Sequence, residues 1–251
     1  VVPKRQAFGS VIPGSVPPIS QQSSNQQQPM QIQMQSDDLP RQDVSVQIQG
    51  ILQKMADANW KIRKEGLDEL QVCLEKSGNR FSMDGSVLLD LLTVLKARFG
   101  DTNRNLSIQA LELCGLSLQA IGSRAVVEKA MPMAKTLCQS AMQCLSDNKP
   151  QVRQAAVKCL DEMVTVLPVM LLIGVAGLTV LAGESPNLRK DLLTWLTRPL
   201  AMTTLTSNDD DANQLFNAIV VGLQDRSGEV RKAAQMLIAS VSPGELLLRH
   251  V

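Results

Sequence analysis

Residues 147–160 read DNKPQVRQAAVKCL, and residues 225–238 read DRSGEVRKAAQMLI. With the Asp as position zero, both carry Val at position five, Arg at six, Ala at eight and nine, and an aliphatic residue at thirteen. Three further starts, Asp57, Asp101 and Gly183, extend the register to five copies. Position five becomes Ile62, Leu106, Val152, Leu188 and Val230, aliphatic throughout. Position nine is Gly66, Ala110, Ala156, Leu192 and Ala234, and position thirteen is Leu70, Cys114, Leu160, Leu196 and Ile238. This spacing sets an apolar stripe on one helix face, with small residues where a neighbouring helix must come close.

The five starts are separated by 44, 46, 36 and 42 residues, near the period of about 40–47 residues that belongs to stacked helix pairs of HEAT type. The expected fold is all-α: an α-solenoid with five clear helix pairs and a sixth that is incomplete or cut off after Val241, where the chain runs SPGELLLRHV. No alternating apolar and polar run supports a strand. The first helix shows in Val44, Ile48, Ile51, Leu52 and Met55, at helical spacing. Asp, Asn, Gly and Pro gather at 57–59, 100–105, 146–150, 183–187 and 225–228 as breaks, the Asp reading as the residue that caps or ends a helix. Repeated Arg63, Arg153 and Arg231 read first as a ladder, each pairing with an acidic group of the adjacent unit, and second as ligand contacts. Ser107 replaces this Arg in the second unit and Gly183 replaces the Asp in the fourth, which leaves the ladder without its usual partners there.

Residues 1–36 contain nine Gln, six Ser, five Pro and two Gly, with no Leu and no acidic residue. Such a segment buries too little apolar surface to offset its chain entropy and reads as a disordered linker, leaving 37–251 as the folded domain. The chain opens at Val1, and its first residues contain no apolar run of signal-peptide type, which reads as a piece of a longer intracellular protein. Met163 to Gly183 is 21 residues without a charge, within the length window of a membrane span. Pro168, Gly174 and Gly177 interrupt it, so it reads as two buried helices meeting at Pro168.

Composition narrows the function. Lys plus Arg number 25 against 24 Asp plus Glu, and aromatics are 2% of the chain with no Tyr. A nucleic-acid or anionic-membrane binder would need a cationic surplus and, for bases, stacking rings. Five cysteines without a CxxC pair and one histidine, His250, leave almost no zinc ligands. The cysteines, set among Leu, Val and Ala, read as reduced thiols acting as small hydrophobes. No HExxH, GxSxG, GxxxxGK[ST] or GxGxxG occurs, so no enzyme, cofactor or metal is expected.

What remains is the edge formed by the five turns, spanning on the order of 40 Å at about 8–10 Å per helix neighbour. It carries Trp60 with Lys61, Thr102-Asn103-Arg104, Lys149, Arg189 with Lys190, and Arg226 with Arg231 and Lys232. A basic ridge of this length suits an acidic protein surface. Trp60 lies outside the apolar register and reads either as an interface anchor or as a lid over the open end of the stack. Trp195, between Leu193 and Leu196, reads as core. The competing reading is a generic HEAT scaffold that takes a peptide or helix along its concave face.

Residues 59–70 (NWKIRKEGLDEL), 187–196 (NLRKDLLTWL) and 223–235 (LQDRSGEVRKAAQ), with the lead-in Leu39-Pro40-Arg41, resemble a TOG domain. They are most similar to the fourth TOG domain of the minispindles and ch-TOG family of microtubule-regulating proteins. The resemblance covers about 37–241 and implies a paddle of six HEAT units whose turn edge binds αβ-tubulin. On this resemblance the contacts are Trp60 and Lys61 in the first turn, Thr102 and Asn103 in the second and Lys149 in the third. Arg189 follows in the fourth, and Arg226 with Arg231 and Lys232 in the fifth. It further implies a non-catalytic module, monomeric in isolation, that promotes growth at microtubule plus ends, centrosomes and spindle poles in the cytoplasm. Preference for free tubulin or for the microtubule lattice stays open at this point.

Overall fold

The computed structural model describes residues 41–201 and 210–240. The expected linker at 1–36, the lead-in residues Leu39 and Pro40, and the incomplete sixth unit expected after Val241 lie outside them. Ten α-helices occur among the described residues, and they fall into five pairs. The first is α1 (Ser45–Met55) with α2 (Trp60–Lys76), the second α3 (Gly85–Phe99) with α4 (Arg104–Ile121). The third is α5 (Ser123–Gln143) with α6 (Pro150–Val166), the fourth α7 (Val169–Ala182) with α8 (Pro186–Ala201), and the fifth α9 (Asp210–Leu223) with α10 (Gly228–Ser240). One detail departs from an all-helical chain. Two-residue strands β1 (Gln42–Asp43) and β2 (Phe81–Ser82) pair in parallel, Gln42 with Phe81 and Asp43 with Ser82. The bridge clips the entry to α1 onto the loop before α3, too short a contact to leave an alternating pattern in the sequence.

The first helices of the pairs stack as one layer, α1 on α3, α3 on α5, α5 on α7 and α7 on α9. The second helices form the other layer, where α2 meets α4, α4 meets α6 and α8 meets α10. Position nine, small in four of the five units, sits at close approaches of this packing: a Cβ on Gly66 would stand 2.8 Å from the Met55 backbone nitrogen. Position thirteen is fully buried in Leu70, Cys114, Leu160 and Leu196. In the fifth unit Leu237 takes the core place instead, and Ile238, read as core, is 38% exposed on the last described helix.

The apolar segment divides as its proline dictates. Leu167 is extended, Pro168 opens α7, and α7 packs among α5, α8 and α9, with Leu178 and Leu181 left exposed. No described helix is long and apolar enough to cross a membrane. Gly177 is required by close approach, since its Cβ would lie 2.9 Å from the backbone of Gln214 and Leu215 in α9. Burial pushes the thiols of Cys138 and Cys144 up to about 12, in keeping with small hydrophobes rather than nucleophiles.

The turn edge as candidate functional site

The repeated Asp and Arg build the turns, each present in four of the five. The Asp side chain accepts the backbone N–H two residues on: Asn59 to Asp57 at 2.6 Å, Asn103 to Asp101 at 2.9 Å, Lys149 to Asp147 at 2.8 Å and Ser227 to Asp225 at 2.8 Å. Of the two roles expected for the Asp, capping a helix or ending one, the structure gives it the second: Asp57 and Asp101 directly follow the C-caps Ala56 and Gly100, and Asp147 is the C-cap of the short 3-10 turn Cys144–Ser146. The caps are Asn59, which accepts the Lys61 N–H at 3.0 Å, and Asn103, which accepts that of Asn105 at 3.1 Å. The Asp instead folds the turn that delivers the cap. Helices α6 and α8 open on Pro150 and Pro186, residues whose missing N–H costs nothing at a first helical position.

The repeated Arg closes the turn and reaches the next unit. Arg63 Nη1 donates to the Asp57 and Ala58 carbonyls at 3.0 and 2.7 Å, while Nε and Nη2 grip the Asp101 carboxylate at 2.8 and 3.0 Å. Arg189 bonds the Gly183 and Glu184 carbonyls at 2.7 and 2.9 Å and reaches Asp225 at 2.6 Å. The two anomalous units do not break this ladder. Ser107 donates to the Asp101 carbonyl at 3.2 Å, and Arg104, three residues earlier, bonds the same carbonyl at 2.7 Å and the Asp147 carboxylate at 2.9 Å. In the fourth unit Gly183 has no carboxylate, and Asp191 on α8 accepts from Arg153 Nε at 3.2 Å in its place. Arg104 and Asp191 as rungs were invisible to a fixed register. The missing Arg or Asp marks where a rung departs from the register but not which residue replaces it.

The pairs set the acidities. Hydrogen bonds from Arg189 hold the Asp225 carboxyl below the usual carboxylate range. At Asp101 burial pushes upward, but the Arg63 guanidinium and the Asn103 N–H outweigh it and the net is downward.

The ladder sorts the candidate contacts. Arg189 is a rung and its head is occupied, so it shapes the fourth turn rather than offering a free cation. Asn103 is likewise engaged as a cap. Arg231 bonds the Asp225 and Arg226 carbonyls at 2.8 and 3.0 Å, remains exposed, and has no carboxylate partner among the described residues. Trp60 is the first residue of α2 rather than a turn residue, and it is 47% exposed. Lys61, Thr102, Lys149, Arg226 and Lys232 are exposed, and none of these cations has a carboxylate partner among the described residues. The fourth turn presents Glu184, and its Lys190 pairs with Asp191 at 3.0 Å. Free cations therefore come from the first, third and fifth turns, while Arg104, Arg189 and Lys190 of the second and fourth are paired with carboxylates. Trp195 is core as expected, 2% exposed, with its indole N–H on Asp161 at 2.9 Å. Among the described residues no acidic, Cys or His cluster could hold a metal.

Comparison with known proteins fits this geometry. The sequence pattern of the XMAP215/Dis1/CLASP TOG domain matches residues 49–242. The chain belongs to the XMAP215/Dis1/CLASP TOG family. Among relatives of this TOG domain, Protein MOR1 of Oryza sativa subsp. japonica is 31% identical over 82% of this chain and 10% of its own length. Centrosomal protein 224 of Dictyostelium discoideum is 29% identical over 95% of this chain and 11% of its own. The TOG chain thus spans about a tenth of the curated relatives it matches. A solved structure concerned with tubulin recruitment and assembly by microtubule polymerases with TOG domain arrays superposes with a TM-score of 0.67 at 18% identity, covering 86% of this chain and 46% of that one. It shares the HEAT solenoid, which is the fold read from the repeat period.

Proposed function

We propose that this TOG domain is a non-catalytic module that binds αβ-tubulin through its turn edge and regulates microtubule growth and spindle assembly. It would act in the cytoplasm on microtubules, centrosomes and spindle poles. The observation that carries the reading is the half-exposed Trp60 at the head of an edge whose Lys61, Lys149, Arg226 and Lys232 have no carboxylate partner among the described residues. Support comes from the family, from relatives with a centrosomal name, and from a fold shared with TOG domain arrays that recruit tubulin. Thr102 and Arg231 complete the contact set, with Asn103 and Arg189 holding the turns in shape.

The module needs no reacting groups, since an exposed aromatic and unpaired cations are the equipment of recognition. Truncating an interface Trp costs about 2–4 kcal/mol, against about 0–1 kcal/mol for an exposed ion pair. Trp60→Glu combined with Lys149→Ala is expected to abolish co-sedimentation with purified αβ-tubulin in analytical ultracentrifugation while circular dichroism stays unchanged. Undiminished binding by the folded double variant would refute the edge assignment.

A further inference from the structure

The second layer is closed by direct helix packing except at one place. Helices α6 and α8 approach less closely than α2 and α4, α4 and α6, or α8 and α10. The 3-10 turn Cys144–Ser146 packs on both helices at this gap, and side chains cross it, Arg153 to Asp191 near the turn edge and Trp195 with Arg198 to Asp161 further along. Around the Arg153–Asp191 crossing lies a recess of about 330 Å³ lined by Pro150, Arg153, Gln154, Val157 and Asp191. Pro150 and Val157 supply its apolar wall, and Val157 is only partly covered.

We infer that this notch receives an apolar side chain of the same partner, one flanked on the partner's surface by carboxylates. The inference rests on the tubulin reading above. Two observations select this occupant. The notch is continuous with the contact edge, because Pro150 follows Lys149, whose exposed ammonium stands at the third turn. The charge around it is also one-sided. Within the lining Arg153 and Asp191 balance at 3.2 Å, and the cations beside it, Lys190 at 3.0 Å from the same Asp191 and the exposed Lys149, tip the surroundings positive. A bare cation from a partner would be repelled, and a carboxylate alone would leave the apolar wall wet. An aliphatic or aromatic side chain with acidic neighbours satisfies both. The edge would then make two kinds of apolar contact, Trp60 protruding from the start of α2 and the notch receiving beside the third turn.

The test fills the notch without disturbing the edge. Val157→Phe occupies it from the wall, and Gln154→Trp, at an exposed position, covers it from the mouth. Thr165→Trp, exposed two turns further along α6, is the control. In the full chain, binding to purified αβ-tubulin is expected to weaken at least about tenfold in each notch variant. Melting temperature should stay within a few degrees, and Thr165→Trp should bind as wild type. If Val157→Phe does not fold, Gln154→Trp decides alone. Wild-type binding by a folded notch variant, with Trp60→Glu defective, overturns the notch and leaves the edge reading standing. Wild-type binding by Trp60→Glu as well overturns both, as does a failure of the wild-type chain to bind tubulin.

Discussion

Arg63→Met should destabilise the domain by about 3 kcal/mol, although the methionine keeps the apolar stem. Arg63 is 8% exposed and its partner Asp101 5%, so both charges are out of water. The variant removes two hydrogen bonds to the carboxylate and two to turn carbonyls at once. Removing one member of a buried pair costs about 3–5 kcal/mol because the other charge is stranded. The lower end applies here, since Asp101 keeps the Asn103 N–H at 2.9 Å and Arg98 at 3.2 Å. At about 2–4 °C per kcal/mol for a domain of this size, the melting temperature should fall by about 6–12 °C. Lys64→Ala is the internal standard. Lys64 and Asp68 pair at 2.6 Å, but their side chains are 51% and 49% exposed, and such pairs contribute about 0–1 kcal/mol. Thermal unfolding followed at 222 nm, in low salt and in 1 M NaCl, separates the two, because salt should erase the Lys64 effect and spare that of Arg63. A loss for Arg63→Met no larger than that for Lys64→Ala would refute the claim that the rungs hold the stack.

Acid should act through the same rungs. Asp225 is held low by its Arg189 hydrogen bonds, and a carboxyl depressed in the folded state contributes stability that is present above its unfolded pKa and lost as pH falls through the folded one. Melting temperature should therefore be flat through neutral pH and fall below the ordinary carboxylate range, and Asp225→Asn should start lower and fall less; parallel profiles for the two proteins would refute this. Glycines should divide by their surroundings. Gly177→Ala puts a Cβ 2.9 Å from the α9 backbone and should cost about 1–3 kcal/mol, whereas Gly50→Ala, with nothing within 4 Å in α1, should gain about 0.5–1 kcal/mol, both read by urea unfolding. Equal effects would mean that α7 and α9 do not meet at that point.

The sequence made the five pairs legible because each must present the same stripe to its neighbours. Ile62, Leu106, Val152, Leu188 and Val230 mark each second helix whatever its other residues do. Pro168 divided the apolar run correctly because a proline can open a helix but not continue one. The exposure of Trp60 was also foreseeable from its place outside the stripe. What could not be read was tertiary: that Asp191 stands in for a carboxylate at position 183, that Arg104 covers for Ser107, and that α6 and α8 part. Each depends on distances between helices some 35–45 residues apart in the chain, which no local pattern encodes.

The same turn motif supplies both the fold and its contact chemistry, and the ladder decides which cation does which. A guanidinium at position six is drawn inward by two carbonyls of its own turn and a carboxylate of the next unit, so Arg63, Arg153 and Arg189 cannot serve a partner without opening the stack. Lysines at the neighbouring positions have no such geometry, because an ammonium cannot hold two carbonyls and a bidentate acid at fixed angles. Lys61, Lys149 and Lys232 stand at positions four, two and seven, off the rung position, and stay exposed, so the edge they form can change its charge without touching the core. Arg231 lies between the two classes. It closes its own turn, yet no described carboxylate receives it, so its head is engaged like a rung and exposed like a contact. Substituting it should therefore lower stability less than Arg63→Met and tubulin affinity more than Arg189→Met, a combination that neither a purely structural nor a purely surface residue would give.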